Sequence, residues 1–562
     1  MRRTVTLLAC LSLLIPAVVP VQAVRQPVRA RQGMVVAMEA LATDVGVSVL
    51  QKGGNAVDAA VAVGFALAVT HPFAGNIGGG GYMLIRLADG RTTFIDFREQ
   101  APGRSTRDMY LDAQGNPTKA SIEGWRSSGV PGTVRGLELA NTKYGTRSWA
   151  DNLAPAIELA TRGFAVSYPL AEGLKGSRSL AADPESKRIF QRDGRFFDVG
   201  ETLVQPELGR TLQRIAANGP AEFYEGETAR RFADEMARHG GLITVDDLRN
   251  YKAVERTPLK GTYRNYTVIT APPSSSGGIA LLEMLGILEG TGYEKAGAGS
   301  AAAIHYMAEA MRLAYADRNE YIGDPDFVKV PIAGLLDKAY LARLRATIDP
   351  LEATPSVRVK PGQPAGVEKM ETTHYSVVDS KGNAVAVTYT LNGGYGNGIT
   401  VPGLGFLLNN EMDDFSAKPG TPNMFGLVQG ERNAIVPGKR PLSSMTPTIL
   451  EKDGRLFMTV GAPGGSRIST AVLQVILNVV DFGMTIQDAI DAPRVHHQWM
   501  PDRLSLERAI SPDTVEILKS RGYEVDYNPG VVLAQTAAIV SDGGWLQGGS
   551  DGRSAAGKAA GY

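Results

Sequence analysis

Hydrophobic and polar positions along this chain follow first one period and then another. Between residues 37 and 50 the apolar side chains recur at helical spacing, and the run stops at Gly53-Gly54, which supplies a C-terminal cap. A second apolar helix is predicted over 56–69, ending before Pro72. The period then falls from about 3.6 to 2. Residues 82–87 and 92–97 flank Asp89-Gly90, a strong hairpin signal. The device returns three times: 375–378 and 384–390 around Ser380-Lys381-Gly382-Asn383, 448–451 and 456–460 around Asp453-Gly454, and 537–540 and 545–546 around Asp542-Gly543. Repeated antiparallel hairpins with helices before and after them predict an α+β protein whose sheets pack face to face under helical cover. The middle third, 148–345, reads as mostly helical, with loops such as Pro272-Pro273-Ser274-Ser275-Ser276-Gly277-Gly278. Residues 349–370, rich in Pro, Gly and charge, read as an exposed linker.

Composition narrows the class. Arg2 and Arg3, an apolar run over 5–19 broken by Pro16, and small residues around Val21-Gln22-Ala23 make residues 1–23 a secretory signal peptide. A stable membrane anchor would need about 20 uninterrupted apolar residues, so none is expected and the mature protein is placed in the periplasm or outside the cell. Cys10 only loosely resembles a lipoprotein cleavage site, and it is the one cysteine, so export proceeds without a disulfide framework. Basic and acidic residues both number 58 among 562, and the leader removes two Arg and no acid. A near-neutral chain without a basic block has no electrostatic footprint for nucleic acid. No metal and no cofactor are expected: none of His71, His239, His305, His374, His496 and His497 falls in a metal-binding spacing, and the glycines at 78–81 precede a strand instead of opening a helix after one.

The linker leads into Glu371-Thr372-Thr373-His374-Tyr375-Ser376. By itself a Thr-Thr pair is an ordinary strand opening. Cleavage before Thr372 would give that threonine a free amine, of pKa about 8, beside its own hydroxyl, and this activates a threonine without a histidine. His374 and the pair His496-His497 read as structural, the latter at the surface or in the core. Around this run stand Gly53-Gly54-Asn55-Ala56-Val57-Asp58-Ala59-Ala60, His71-Pro72, Gly78-Gly79-Gly80-Gly81, Asp96-Phe97-Arg98-Glu99, Asn409-Asn410-Glu411-Met412-Asp413-Asp414-Phe415, Pro441-Leu442-Ser443-Ser444-Met445 and Gly461-Ala462-Pro463-Gly464-Gly465-Ser466. In this order and spacing the chain resembles the γ-glutamyltransferase (γ-glutamyl transpeptidase) family over nearly its whole length.

The resemblance implies a four-layer αββα sandwich of the N-terminal nucleophile hydrolase type, made as one precursor. It implies cleavage between Glu371 and Thr372 into a large subunit, 24–371, and a small one, 372–562, intertwined as one globular unit. Thr372 is then both the processing residue and the nucleophile that carries the γ-glutamyl group as an ester, and Thr390 hydrogen-bonds it. Gly464 and Gly465 match the oxyanion loop, where preset donors are required. Arg98 matches the arginine that grips the donor α-carboxylate, bidentate where lysine cannot be. Ser443 and Ser444 join it, while Asp414, with Asn392 and Glu411, takes the α-ammonium. The implied substrates are glutathione and other γ-glutamyl compounds, with water or an amino acid or peptide amine as acceptor.

The residues at 419–426 resemble a lid loop, with Phe425 where the family often carries tyrosine. A phenyl ring cannot donate to Asn392, which loosens closure by about 1 kcal/mol and bears on the balance between hydrolysis and transfer. Two rivals are a cephalosporin or glutaryl acylase of the same fold and a γ-glutamyl-compound binding protein that never processes. Against the acylase stands Asp414, which would face an acyl chain lacking an ammonium. Read without the family, Glu411-Met412-Asp413-Asp414 is also a solvated acidic loop or a divalent-cation cluster.

Overall fold

The computed structural model describes residues 25–360, 373–419, 421, 424, 430–528, 530 and 532–562. Fourteen strands build two sheets. In chain order they are β1 (Val28–Ala30), β2 (Met34–Ala37), β3 (Gly80–Arg86), β4 (Thr92–Phe97), β5 (Val254–Arg256), β6 (Leu259–Tyr263), β7 (Tyr266–Thr270), β8 (Thr373–Val378), β9 (Ala384–Thr390), β10 (Thr448–Lys452), β11 (Arg455–Gly461), β12 (Ala537–Asp542), β13 (Trp545–Ser550) and β14 (Lys558–Gly561). One sheet runs β14-β2-β8-β9-β3-β4-β5 and the other β1-β13-β12-β11-β10-β7-β6, every pairing antiparallel. Each sheet combines strands from before residue 371 with strands from after residue 372.

Helices α1 (Ala40–Gln51) and α2 (Ala56–Thr70) cover the first sheet, while α3 (Gly277–Leu288) and α5 (Arg467–Val480) cover the second, with α4 (Ala301–Tyr321) packed on α3. The predicted helix at 37 starts instead at Ala40, because Glu39 caps it by accepting from Leu41 N and Ala42 N, and residues up to Ala37 join β2. Helix α2 begins with a reciprocal Asn55/Asp58 capping box, and all fifteen of its residues are buried.

Because helices cover both sheets, central strands show no polar face. Met83 and Ile85 pack toward α2, while Tyr82 and Leu84 pack toward the second sheet. The middle third is less purely helical than its sequence suggests, since β5, β6 and β7 come from it and form an edge of each sheet. Over its described residues, 349–360, the linker is mostly exposed as expected, with two anchored exceptions. Ser356 and Val359 are buried, Asp502 accepts from Ser356 N at 2.7 Å, and Trp499 Nε1 donates to the carbonyls of both at 3.0 Å. Among the described residues no helix is long and apolar enough to cross a membrane.

Candidate active site

The site gathers where β8 begins and β9 ends. Glu371, Thr372 and the lid residue Phe425 lie outside the described residues. Thr373 opens β8 opposite Tyr389, fully buried, its Oγ1 without a hydrogen-bond partner among the described residues. Thr390 extends β9 one residue beyond that pair and faces Gly80 across the ladder. Close approach requires glycine beside it: a Cβ on Gly79 would lie 2.0 Å from the Thr390 carbonyl oxygen.

A chain of hydrogen bonds carries the site from Thr390 to the acidic loop. Asn392, held at φ 75°, donates its backbone N–H to Thr390 Oγ1 at 2.8 Å and its Nδ2 to the Asn410 carbonyl at 2.8 Å. The next residue, Glu411, is held by its own N–H to Asn409 Oδ1 at 3.0 Å, and Asn409 Nδ2 anchors to the carbonyls of Gly78 and Gly129 at 2.8 Å. Asn392 Oδ1 is buried and unpartnered among the described residues.

Arg98 follows directly on β4 and is completely buried. Its guanidinium contacts Glu411 at 2.5 Å, Glu99 at 3.2 Å and Asp414 directly, and donates to the carbonyls of Pro441 and Leu442 at 3.3 and 3.4 Å. Burial opposes its charge, but Glu411, Asp414 and Glu99 outweigh that and hold Arg98 protonated well above its ordinary range. Burial, then the charge of Glu411, pushes the Glu99 carboxyl well above the usual carboxylate range. The cation and anions expected to sit apart for a zwitterion are therefore in contact with one another, since a buried charge without a partner is too costly. Glu411 and Asp414 converge on a guanidinium, so they are neither a solvated loop nor a cation cluster.

Ser443 and Ser444 lie just beyond the Arg98-bonded carbonyls. The Ser-rich loop after β7 supports them: Ser443 N donates to the Ser274 carbonyl at 3.0 Å, and Ser275 Oγ donates to the Met445 carbonyl at 2.7 Å. Gly464 and Gly465 fill the turn between β11 and α5 at φ 139° and 65°. A Cβ on Gly464 would lie 2.5 Å from Ala534 Cβ. The carbonyls of both glycines accept from Arg467 N and Ile468 N in the first turn of α5, placing the loop at the positive end of a fourteen-residue helix. A cavity of about 510 Å³, lined among others by His71, Phe73, Tyr395, Gly464 and Ala534, opens on this side of the loop, and none of Arg98, Asp414 and Ser444 lines it. Arg98, Asp414 and Ser444 are fully buried, and the open volume adjoins Gly464.

His374, His496 and His497 lie inside the fold. His374 is buried between Thr388 Oγ1 at 2.8 Å and Ser376 Oγ at 3.1 Å, and burial lowers its pKa to about 3. His496 and His497 are buried, which settles the surface-or-core alternative as core. The reading of the sequence missed Glu99, although it adjoins Arg98 in a quoted motif, and the supporting loop at 274–276, whose serines read only as a turn.

Two face-packed antiparallel sheets between helical layers make up the fold of the N-terminal nucleophile hydrolases. The cephalosporin acylase from Bacillus halodurans has this architecture: TM-score 0.85 at 28% identity over 98% of this chain and 99% of that one. The γ-glutamyltranspeptidase of Helicobacter pylori matches at TM-score 0.57 and 46% identity, over 57% of this chain and 93% of that one. A protein of Escherichia coli (strain K12) named "Glutathione hydrolase proenzyme" is 54% identical, with 95% of this chain and 93% of that protein aligned. Residues 42–562 match the family described as gamma-glutamyltranspeptidase, and the chain belongs to that family.

Proposed function

We propose that this protein is a self-processing γ-glutamyltransferase and glutathione hydrolase. Its chain is cut between Glu371 and Thr372, giving subunits 24–371 and 372–562, and the freed amine of Thr372 then serves as base to its own hydroxyl. Thr372 Oγ attacks the γ-carbonyl carbon of the donor, and its proton passes through the amine to the departing amine as the amide C–N bond breaks. Backbone N–H groups at Gly464 and Gly465 stabilise the tetrahedral oxyanion. Water or an amino acid or peptide amine attacks the resulting ester, gives up its proton to the Thr372 amine and releases Thr372. In the donor grip, Arg98, Ser443 and Ser444 hold the α-carboxylate, and Asp414, Glu411 and Asn392 the α-ammonium. The leader at 1–23 supports export.

The observation that carries this reading is the buried contact of Arg98 with Glu411 and Asp414. A zwitterion brings no net charge into such a cluster: its carboxylate takes over part of the guanidinium fork while its ammonium satisfies the carboxylates released. A glutaryl chain offers only the first exchange and leaves Asp414 unmatched. Kinetics on γ-glutamyl-p-nitroanilide and glutaryl-p-nitroanilide test it. The account expects kcat/KM to favour the γ-glutamyl compound by at least about a hundredfold, and equal values would favour the acylase.

A further inference from the structure

Helix α4 sends two side chains, three positions apart on one face, to the candidate site from behind. Arg318 is 1% and Tyr315 0% exposed. Arg318 Nη2 donates to Ser444 Oγ at 2.5 Å and Nε to Ser276 Oγ at 3.0 Å. Ser276 in turn donates both its Oγ and its N–H to the Ser443 carbonyl at 2.7 Å. The Tyr315 hydroxyl donates to the carbonyl of Ser466, the residue after Gly464-Gly465, and lies 2.9 Å from Ser469 Oγ in α5. The guanidinium sits 5.3 Å from the centroid of the Tyr315 ring, so the two side chains brace each other.

A serine hydroxyl has one proton, and a guanidinium can only donate. Ser444 Oγ is therefore an acceptor toward Arg318, and its own proton is directed elsewhere, as a carboxylate ligand requires. Only an arginine spans Ser276 and Ser444 at once, because its donors are fixed in a planar fork. Tyr315 acts on the other half of the site, fixing the turn whose amides face the oxyanion.

We infer that Arg318 and Tyr315 are positioning residues for γ-glutamyl transfer: Arg318 sets Ser444 as hydrogen-bond donor to the donor α-carboxylate, and Tyr315 sets the Gly464–Ser466 turn that receives the oxyanion. The inference rests on the roles proposed above for Ser444 and the glycine pair.

Steady-state kinetics on γ-glutamyl-p-nitroanilide test it, using processed Arg318→Lys, Tyr315→Phe, Ser444→Ala and the Arg318→Lys/Ser444→Ala double variant. The expected pattern is a split. Arg318→Lys raises KM about tenfold with kcat changed less than about threefold, while Tyr315→Phe lowers kcat about five- to tenfold at nearly constant KM. The double variant is no worse in KM than Ser444→Ala, because the arginine acts through that serine. Additive losses in the double variant, or an unchanged KM in processed Arg318→Lys, overturn the inference. Should Arg318→Lys fail to process, Tyr315→Phe, which loses one oxygen atom, decides alone, and an unchanged kcat overturns the claim. An unchanged KM in Ser444→Ala would instead remove the carboxylate role of Ser444, and the inference would fall with it.

Discussion

Arg98 and Asp414 are in direct contact, guanidinium to carboxylate, and neither side chain reaches solvent. Charge-assisted hydrogen bonds contribute about 1.5–3 kcal/mol each, more when their loss leaves a buried group unsatisfied. Asp414→Asn keeps the shape and removes the charge that would meet the α-ammonium. We expect kcat/KM for γ-glutamyl-p-nitroanilide to fall about a hundredfold, with no fall for glutaryl-p-nitroanilide. Equal losses on both substrates would show that Asp414 serves the fold and not the ammonium.

Thr390 Oγ1 accepts the backbone N–H of Asn392, a non-glycine residue in the left-handed region. Thr390→Ala releases that turn and with it the approach of Asn392 to Asn410. The expected result is slower appearance of the two fragments and at least about a tenfold loss of kcat, largely restored in Thr390→Ser, which keeps the acceptor. Thr390→Ala processing and turnover at wild-type rates would contradict this.

Gly464 has no room for a side chain and sits at φ 139°. Gly464→Ala should lower kcat by about a hundredfold or more, the loss typical of a misplaced oxyanion donor. Adding Ala534→Gly removes the 2.5 Å contact with Cβ but leaves the 2.7 Å contact with the residue 534 Cα and the backbone strain, so little recovery is expected. A single variant within threefold of wild-type kcat would remove this loop from the mechanism.

His374 makes stability depend on acidity. Its ring resists protonation in the fold until about pH 3, whereas an unfolded chain takes the proton near pH 6.5. Between those values the unfolded state binds the extra proton, so stability rises with pH and is lost as the pH falls from 6.5 toward 3. The contribution is at most roughly 5 kcal/mol. His71, lowered by burial to about 4, acts in the same direction. Urea unfolding from pH 7 to 4 should therefore show a shallower acid decline in His374→Gln than in the wild type, and an unchanged slope would contradict the assignment.

The strands that could be read from the sequence were those with a turn signal between them. Asp89-Gly90, Asp453-Gly454 and Asp542-Gly543 each sit in the expected hairpin. The hairpin Leu259–Tyr263/Tyr266–Thr270 turns through Arg264 at φ 53°, where tertiary contacts to Asp481 and Glu289, not glycine chemistry, hold the conformation. Edge strand β14 is Lys-Ala-Ala-Gly and carries no strand propensity, yet it pairs with β2 because the chain end returns there. At the site, Arg98, Asn392, Glu411, Asp414 and the serines came from the family resemblance. Arg318 did not, for it lies 126 residues from Ser444 and reads as one more position on a helix that is buried almost throughout.

The central claim is that this chain exposes its own nucleophile. Intact mass under denaturing conditions, with N-terminal sequencing of the smaller fragment, tests it on the wild type and on Thr372→Ala. The account predicts two fragments in the wild type, the smaller beginning Thr372-Thr373-His374, and one unbroken, inactive chain in Thr372→Ala. A wild-type chain that stays whole while turning over γ-glutamyl substrate, or a Thr372→Ala chain still cut at the same bond, would contradict it.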